Sequence, residues 1–211
     1  MNKRNYNAEM REEMRKGGGT LLLHSCCGPC SSRCIETLKN VFAVTVYYYN
    51  PNITESEEYA RRKSEQIRFL RETGWADYLD SPYDPETFFS CAEGLEKEKE
   101  GGARCYRCFD LRIRKTAAEA KSRGYDYFCT TLSVSPHKNA VWLNEIGERA
   151  AAETGVQWLP ADFKKENGYQ RSVQLAREYS LYRQNYCGCI FSKEERETAE
   201  RKKGKGLLHT E

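Results

Sequence analysis

The chain has 211 residues, 39% of them hydrophobic and 31% charged, with a formal net charge of +3; this length suits one domain with a buried core. No apolar run approaches the roughly 18 residues of a membrane span. The opening "MNKRNYNAEMREEMRKGGG" lacks the apolar stretch of a secretion signal, so a cytoplasmic protein is expected. So small a charge is no argument for nucleic-acid binding; only the local clusters "ARRKS" (60–64), "LRIRK" (111–115), "FKKE" (163–166) and "ERKKGKG" (200–206) point that way.

After residues 1–18, read as a polar extension, "GTLLLHS" (19–25) has the continuous apolar character of a buried strand. A cysteine-bearing loop and the helix "SSRCIETLKN" follow. The aromatic and β-branched run "VFAVTVYYYN" (41–50), closed by Asn50-Pro51, predicts a second strand. Thr54 is placed to cap the helix "ESEEYARRKSEQIRFLRETG", which ends at Gly74. "WADYLDSPYD" (75–84) gives a third extended segment, and Asp84-Pro85 opens a helix through "PETFFSCAEGLEKEKE" that Gly101 and Gly102 break. A helix starting near Cys108, the strand "YDYFCTTLS" (125–133), the helix "SPHKNAVWLNEIGERAAAETG" and the strand "VQWLPADF" (156–163) complete the alternation.

Strands separated by helices imply a parallel, three-layer α/β sheet. One catalytic domain is expected over 19–192, its last part helical from about Gly168 around a Cys-Gly-Cys break, with a basic tail at 193–211 whose "RKKGKG" is expected to be disordered. Open sheets of this kind gather ligands beyond the carboxyl ends of their strands. That rule brings the cysteine loop, Tyr49, Asn50, Ser133, Ser135 and His137 to one crevice.

In a reducing compartment, thiols serve metals or catalysis more often than structural disulfides. Most of the 10 cysteines are clustered: Cys26, Cys27 and Cys30; Cys105 and Cys108; Cys187 and Cys189. Cys34, Cys91 and Cys129 read as small buried hydrophobes. Cys27-Gly-Pro-Cys30 has the form of a thioredoxin-like dithiol, which leaves Cys105-Tyr-Arg-Cys108 unexplained. Cys27, Cys30, Cys105 and Cys108 have the spacing of a zinc site, whereas Cys26 and Cys27 with Cys105 and Cys108 would satisfy an iron-sulfur cluster. Spacing alone leaves both open. A nucleotide-dependent tRNA thiolase would need a phosphate-cradling loop where this chain has "HSCCGPC".

The blocks "LLLHSCCGPCS", "YYNPNI", "YDPETFF", "GGARCYRCFDLRI", "TTLSVSPHKN", "DFKKENGYQRS" and "LYRQNYCGCIFS" occur in an order that resembles the epoxyqueuosine reductases of the QueH type, over about Leu21 to Phe191. The resemblance implies a Rossmann-like fold of the HUP (adenine nucleotide alpha hydrolase-like) kind. It implies reduction of epoxyqueuosine to queuosine at the wobble position of tRNA, with an electron donor. By the same resemblance Cys26, Cys27, Cys105 and Cys108 hold a 4Fe-4S cluster with an additional iron nearby, Cys30 is a neighbour, and Cys187 and Cys189 form a redox-active disulfide. Tyr49, His137 and Tyr186 are candidate proton donors. Arg107, Arg112, Lys138, Lys164, Lys165 and Arg171 are candidate phosphate contacts. A zinc-stabilised RNA-binding protein is the non-enzymatic alternative.

Overall fold

A computed structural model describes residues 4–206, with side chains as far as Arg201. Its centre is β1 (Thr20–His24), whose Leu21, Leu22 and Leu23 have no exposed surface. A strand buried on both faces needs no alternation, which is why "LLLH" is continuously apolar or hydrogen-bonded. β1 pairs in parallel with β2 (Ala43–Tyr47) and with β4 (Tyr127–Thr130), Leu22 standing opposite Thr45 and Phe128. With β3 (Asp77–Leu79) and β5 (Gln157–Trp158) the sheet has five strands, all parallel, in the order β3-β2-β1-β4-β5.

The connections are α2 (Gly28–Leu38), α3 (Ser56–Thr73), α4 (Pro85–Ala92), α5 (Ala103–Arg123) and α6 (Ala140–Thr154). α5 packs on α6, and α2 packs on α3 and on α7 (Gly168–Glu178). Right-handed crossovers put these two groups on opposite faces, giving three layers. Gly147 of α6 is required by close approach: a β-carbon there would stand 2.2 Å from the ring of Trp158, which packs edge-on against Phe128.

Several boundaries differ from expectation. Glu55, not Thr54, precedes α3, and no side chain caps it, whereas Gly74 ends it in the left-handed conformation. α4 stops at Ala92, because "EGLEKEKE" has no apolar face to bury. α5 begins at Ala103, straight after Gly102, so Cys105 and Cys108 both belong to its first turns. The polar N-terminal segment forms α1 (Tyr6–Arg15), capped by Asn5, and buries Tyr6 and Met10, Met10 in the main core. At the other end α8 (Ile190–Gly206) runs across the expected boundary at 192. Its backbone is helical through "RKKGKG", where disorder was expected; residues 207–211 of the tail lie outside the described residues.

Candidate thiol site

The sheet order reverses direction between β1 and β4, and the site lies beyond their carboxyl ends. Leaving β1, the chain turns so that Cys27 is the N-cap of α2; its sulfur accepts from the Cys30 backbone N–H at 3.4 Å, and Pro29 occupies the first turn, where a missing N–H does no harm. The sulfurs of Cys26, Cys27 and Cys30 lie within 4.8 Å of one another. Thiol hydrogen bonds from Cys27 and Cys30 hold Cys26 well below the ordinary cysteine range, against the effect of burial and with help from Arg112. Cys27 is pushed up, first by burial and then by Cys26.

Beneath this loop are buried polar groups. Gln66 Oε1 accepts from both Ser25 Oγ and Ser31 Oγ at 2.8 Å, and the Asn50 amide donates to the Ser25 carbonyl at 2.8 Å. Arg112, on α5, has no exposed surface. Its Nη2 donates to Asn50 Oδ1 at 2.7 Å, its Nε to His24 Nε2 at 3.3 Å, and its Nη1 points at Cys108 Sγ, 4.0 Å away. His24 is pulled down to about 3, by burial and by the Arg112 charge, and so is neutral at neutral pH. Arg112 has no carboxylate in ion-pair contact among the described residues, which makes the thiols its available counter-charge.

Cys105 and Cys108 stand one turn apart on α5. They do not join the three-thiol group within the same 4.8 Å limit; Cys30 does. Cys105 Sγ accepts from Gly101 N–H at 3.2 Å, while Cys108 is buried with Phe88, Ala92 and Cys189 and pushed up to about 12 by burial, Arg112 opposing. Cys187 and Cys189 are both free thiols. The turn that carries them is held from α3, where the fully buried Arg62 pairs with Glu58 at 2.7 Å and donates to the Cys187 carbonyl at 3.0 Å.

A cavity of about 600 Å³ opens over these groups, lined by Cys26, Cys30, Arg112, Lys138, Gln184 and Cys187 among others. Ser135, His137 and Tyr186 also line it, as the crevice argument expects for the first two. Tyr49 is instead buried and stacked on Tyr47, Asn50 serves Arg112, and Ser133 accepts from Phe163 N–H. Two candidate phosphate contacts are corrected: Arg112 and Lys138 are buried beside thiols, since sequence does not distinguish a buried cation from a surface one. Arg171 is committed to Glu36 and Glu178, and Lys164 to Asp162. Sequence reasoning missed Arg62, Glu100 and Gln184, whose Nε2 lies 3.0 Å from Cys27 Sγ; a cation four residues after Glu58 was the available sign for Arg62. Cys34 and Cys129 are core residues as expected, and Cys91 is half-buried.

A wholly parallel α/β fold carrying clustered thiols and a buried, carboxylate-free guanidinium over one cavity is an arrangement suited to metal or redox chemistry. A family model described as epoxyqueuosine reductase QueH matches residues 21–195. The chain belongs to the epoxyqueuosine reductase QueH family. An epoxyqueuosine reductase QueH from Streptococcus pyogenes is 43% identical over 82% of this chain and 70% of its own length. One from Thermotoga maritima is 35% identical over 84% of this chain and 92% of its own. The fold is similar to that of the U34-tRNA thiolase NcsA from Methanococcus maripaludis, solved with its 4Fe-4S cluster, at a TM-score of 0.52 and 14% identity, covering 92% of this chain and 72% of that one.

Proposed function

We propose that this protein reduces epoxyqueuosine to queuosine at the wobble position of tRNA, in the cytoplasm, as the closing step of queuosine synthesis. The reaction removes the epoxide oxygen as water and leaves a carbon–carbon double bond, taking up two electrons and two protons. The observation that carries this reading, in a chain of this family, is the meeting of Cys26, Cys30 and Cys187 at one cavity with the buried guanidinium of Arg112.

The donor set fits a thiolate-bound cluster, because four thiolates and their iron-sulfide core carry net negative charge and Arg112 has no other anion. Cys26, Cys27, Cys105 and Cys108 would hold a 4Fe-4S cluster, and Cys30 offers a further thiol to an additional iron. When bound, the cluster supplies electrons singly from an external donor. Cys187 and Cys189 are the second store: closing their disulfide releases two electrons and two protons, which balances one epoxide reduced to one alkene and one water. Of the residues lining the cavity, Arg183, Arg196 and His137 would meet phosphates, and Tyr169 and Tyr186 would offer faces to a base turned out of its loop.

The test supplies anaerobically purified protein with epoxyqueuosine-containing tRNA and a strong one-electron reductant, and scores queuosine by mass spectrometry. No queuosine from iron- and sulfide-loaded protein rejects the activity. Alanine at Cys26, Cys27, Cys105 or Cys108 should abolish both iron and sulfide, and alanine at Cys34, Cys91 or Cys129 neither. At Cys30 it should lower iron alone. Stoichiometric zinc without sulfide rejects the cluster. Serine at Cys187 or Cys189 should keep iron and lose turnover.

A further inference from the structure

The two thiols of the Cys-Gly-Cys turn have unequal surroundings. Cys187 is half-buried and lines the cavity. Cys189 is buried against Phe88, Ala92 and Cys108 and accepts from the Ser192 backbone N–H at 3.4 Å. Next to Cys187 is a closed set of polar contacts. Lys138 Nζ is 3.5 Å from Cys187 Sγ and 2.8 Å from Glu100 Oε1. Ser192 Oγ donates to Glu100 Oε2 at 2.9 Å and accepts from the Cys187 backbone N–H at 3.2 Å.

Lys138 is 8% exposed, so its ammonium is fixed in direction and weakly screened. Burial works against that charge, but Cys187 and Glu100 outweigh it and hold the proton on. An ammonium has three donors, and one carboxylate does not exhaust them. Other charged or titratable groups near Cys187 are Arg112, Cys105 and Cys108 from α5 and Cys189 on its own turn, and His137, Tyr186, Glu195 and Arg196 line the same cavity; Arg62 of α3 reaches the backbone carbonyls of this turn. Lys138 is the cation in contact with the Cys187 sulfur, and no cation makes such a contact with the Cys189 sulfur among the described residues.

We infer that Lys138 is a positioning residue that holds the Cys187 sulfur as the reacting group of the pair, with Glu100 and Ser192 fixing its ammonium, and leaves Cys189 as the buried resolving thiol. The thiolate is the reactive form of cysteine, and an adjacent fixed cation favours it. The inference rests on the reading of the two cysteines as a redox pair, but its test needs neither tRNA nor turnover, so the two fail separately.

The experiment reduces the full-length protein with a phosphine, labels it with iodoacetamide, and follows each cysteine peptide by mass spectrometry across a pH series. In the wild type Cys187 should be labelled before Cys189. Lys138→Met should slow Cys187 by about tenfold at neutral pH, since an adjacent cation favours the reactive form of a cysteine, and displace its pH–rate profile upward. Lys138→Arg should restore the rate, and Glu100→Gln, which removes the competing anion, should raise it. Protection of Cys34 and Cys129 reports that each variant is folded. Labelling of Cys189 first, or an unchanged Cys187 rate in Lys138→Met, overturns the inference. Should Lys138→Met lose that protection, a Cys187 rate in Glu100→Gln no higher than wild type overturns it instead.

Discussion

Arg62 and Gly188 meet where the C-terminal thiol turn crosses α3. A β-carbon at Gly188 would stand 3.2 Å from Arg62 Nη1 and 2.9 Å from Ile53 Cγ1, while that same Nη1 holds the Cys187 carbonyl at 3.0 Å. The glycine has φ +119°, in the half of backbone space that a β-carbon disfavours. The turn thus brings two cysteines to one place by combining strain that only glycine tolerates with a guanidinium that grips the backbone.

Gly188→Ala should therefore cost about 1–3 kcal/mol of stability and displace Cys187 from the cavity. Denaturant unfolding reads the first effect and iodoacetamide labelling of Cys187 the second. Iron content should stay at the wild-type level, because the proposed ligands lie on other segments. Unchanged stability and labelling would show that the turn has room to adjust.

Arg112→Met removes the buried cation that balances the thiol loop. Removing one partner of a buried charge pair costs about 3–5 kcal/mol, so iron and sulfide bound per chain should fall clearly, with Arg112→Lys retaining more. Metal and sulfide assays on the anaerobic protein decide it. A full complement in Arg112→Met would mean the counter-charge comes from elsewhere.

Glu36 joins α2 to α7 through Arg171, with Oε1 2.7 Å from Nη2. Burial raises this carboxyl, but hydrogen bonds from Arg171 and then Arg33 outweigh it and hold it below its ordinary 4.5. A depressed carboxyl contributes stability that is present above its unfolded value and lost as pH falls through its folded one. Glu36→Gln should remove roughly 0.5–1 kcal/mol at neutral pH, a value discounted for solvent exposure, and flatten the stability curve below about pH 4.5. Urea unfolding at several pH values checks this; parallel curves would show that the pair adds nothing.

Cutting the chain after Phe191 should do more than remove a basic arm. Glu195 pairs with the buried Arg104 at 3.1 Å and accepts from Glu100 N–H at 3.0 Å, and Glu195, Arg196, Ala199 and Glu200 line the cavity. Loss of both turnover and tRNA affinity is expected. A cut after Arg201 should lower only affinity and its dependence on salt. Gel-shift titration at two salt concentrations, with the queuosine assay, separates the two; equal turnover of both truncations would exclude α8 from the site.

Much of the fold was legible because local signals agreed with the tertiary outcome. The apolar run of β1, Asn50-Pro51 after β2, the Asp84 cap of α4 and Gly74 at the end of α3 each have a local physical cause. β5 is shorter than "VQWLPADF" suggested, since Pro160 cannot donate to a sheet ladder. The helical content of α1 was missed because it depends on burial of Tyr6 and Met10, a tertiary contact that a charged segment does not announce. Of the site, the clustering of the thiols in sequence was legible, but the buried cations beside them were not. "LRIRK" reads as a basic cluster and Lys138 as a phosphate contact, yet Arg112 and Lys138 are both buried.

The cavity is drawn from Cys26, which directly follows β1, and from Glu200 in α8, which follows all five strands. On a ribosome, β1 to β5 emerge before the Cys-Gly-Cys turn and α8, which supply the last wall. The loop of Cys26, Cys27 and Cys30 is therefore made long before Gln184 and Cys187 can cover it, and during that interval its thiols face the medium. Completion of the site therefore follows that of the sheet, and a chain that has formed its sheet alone offers open sulfur rather than a catalyst.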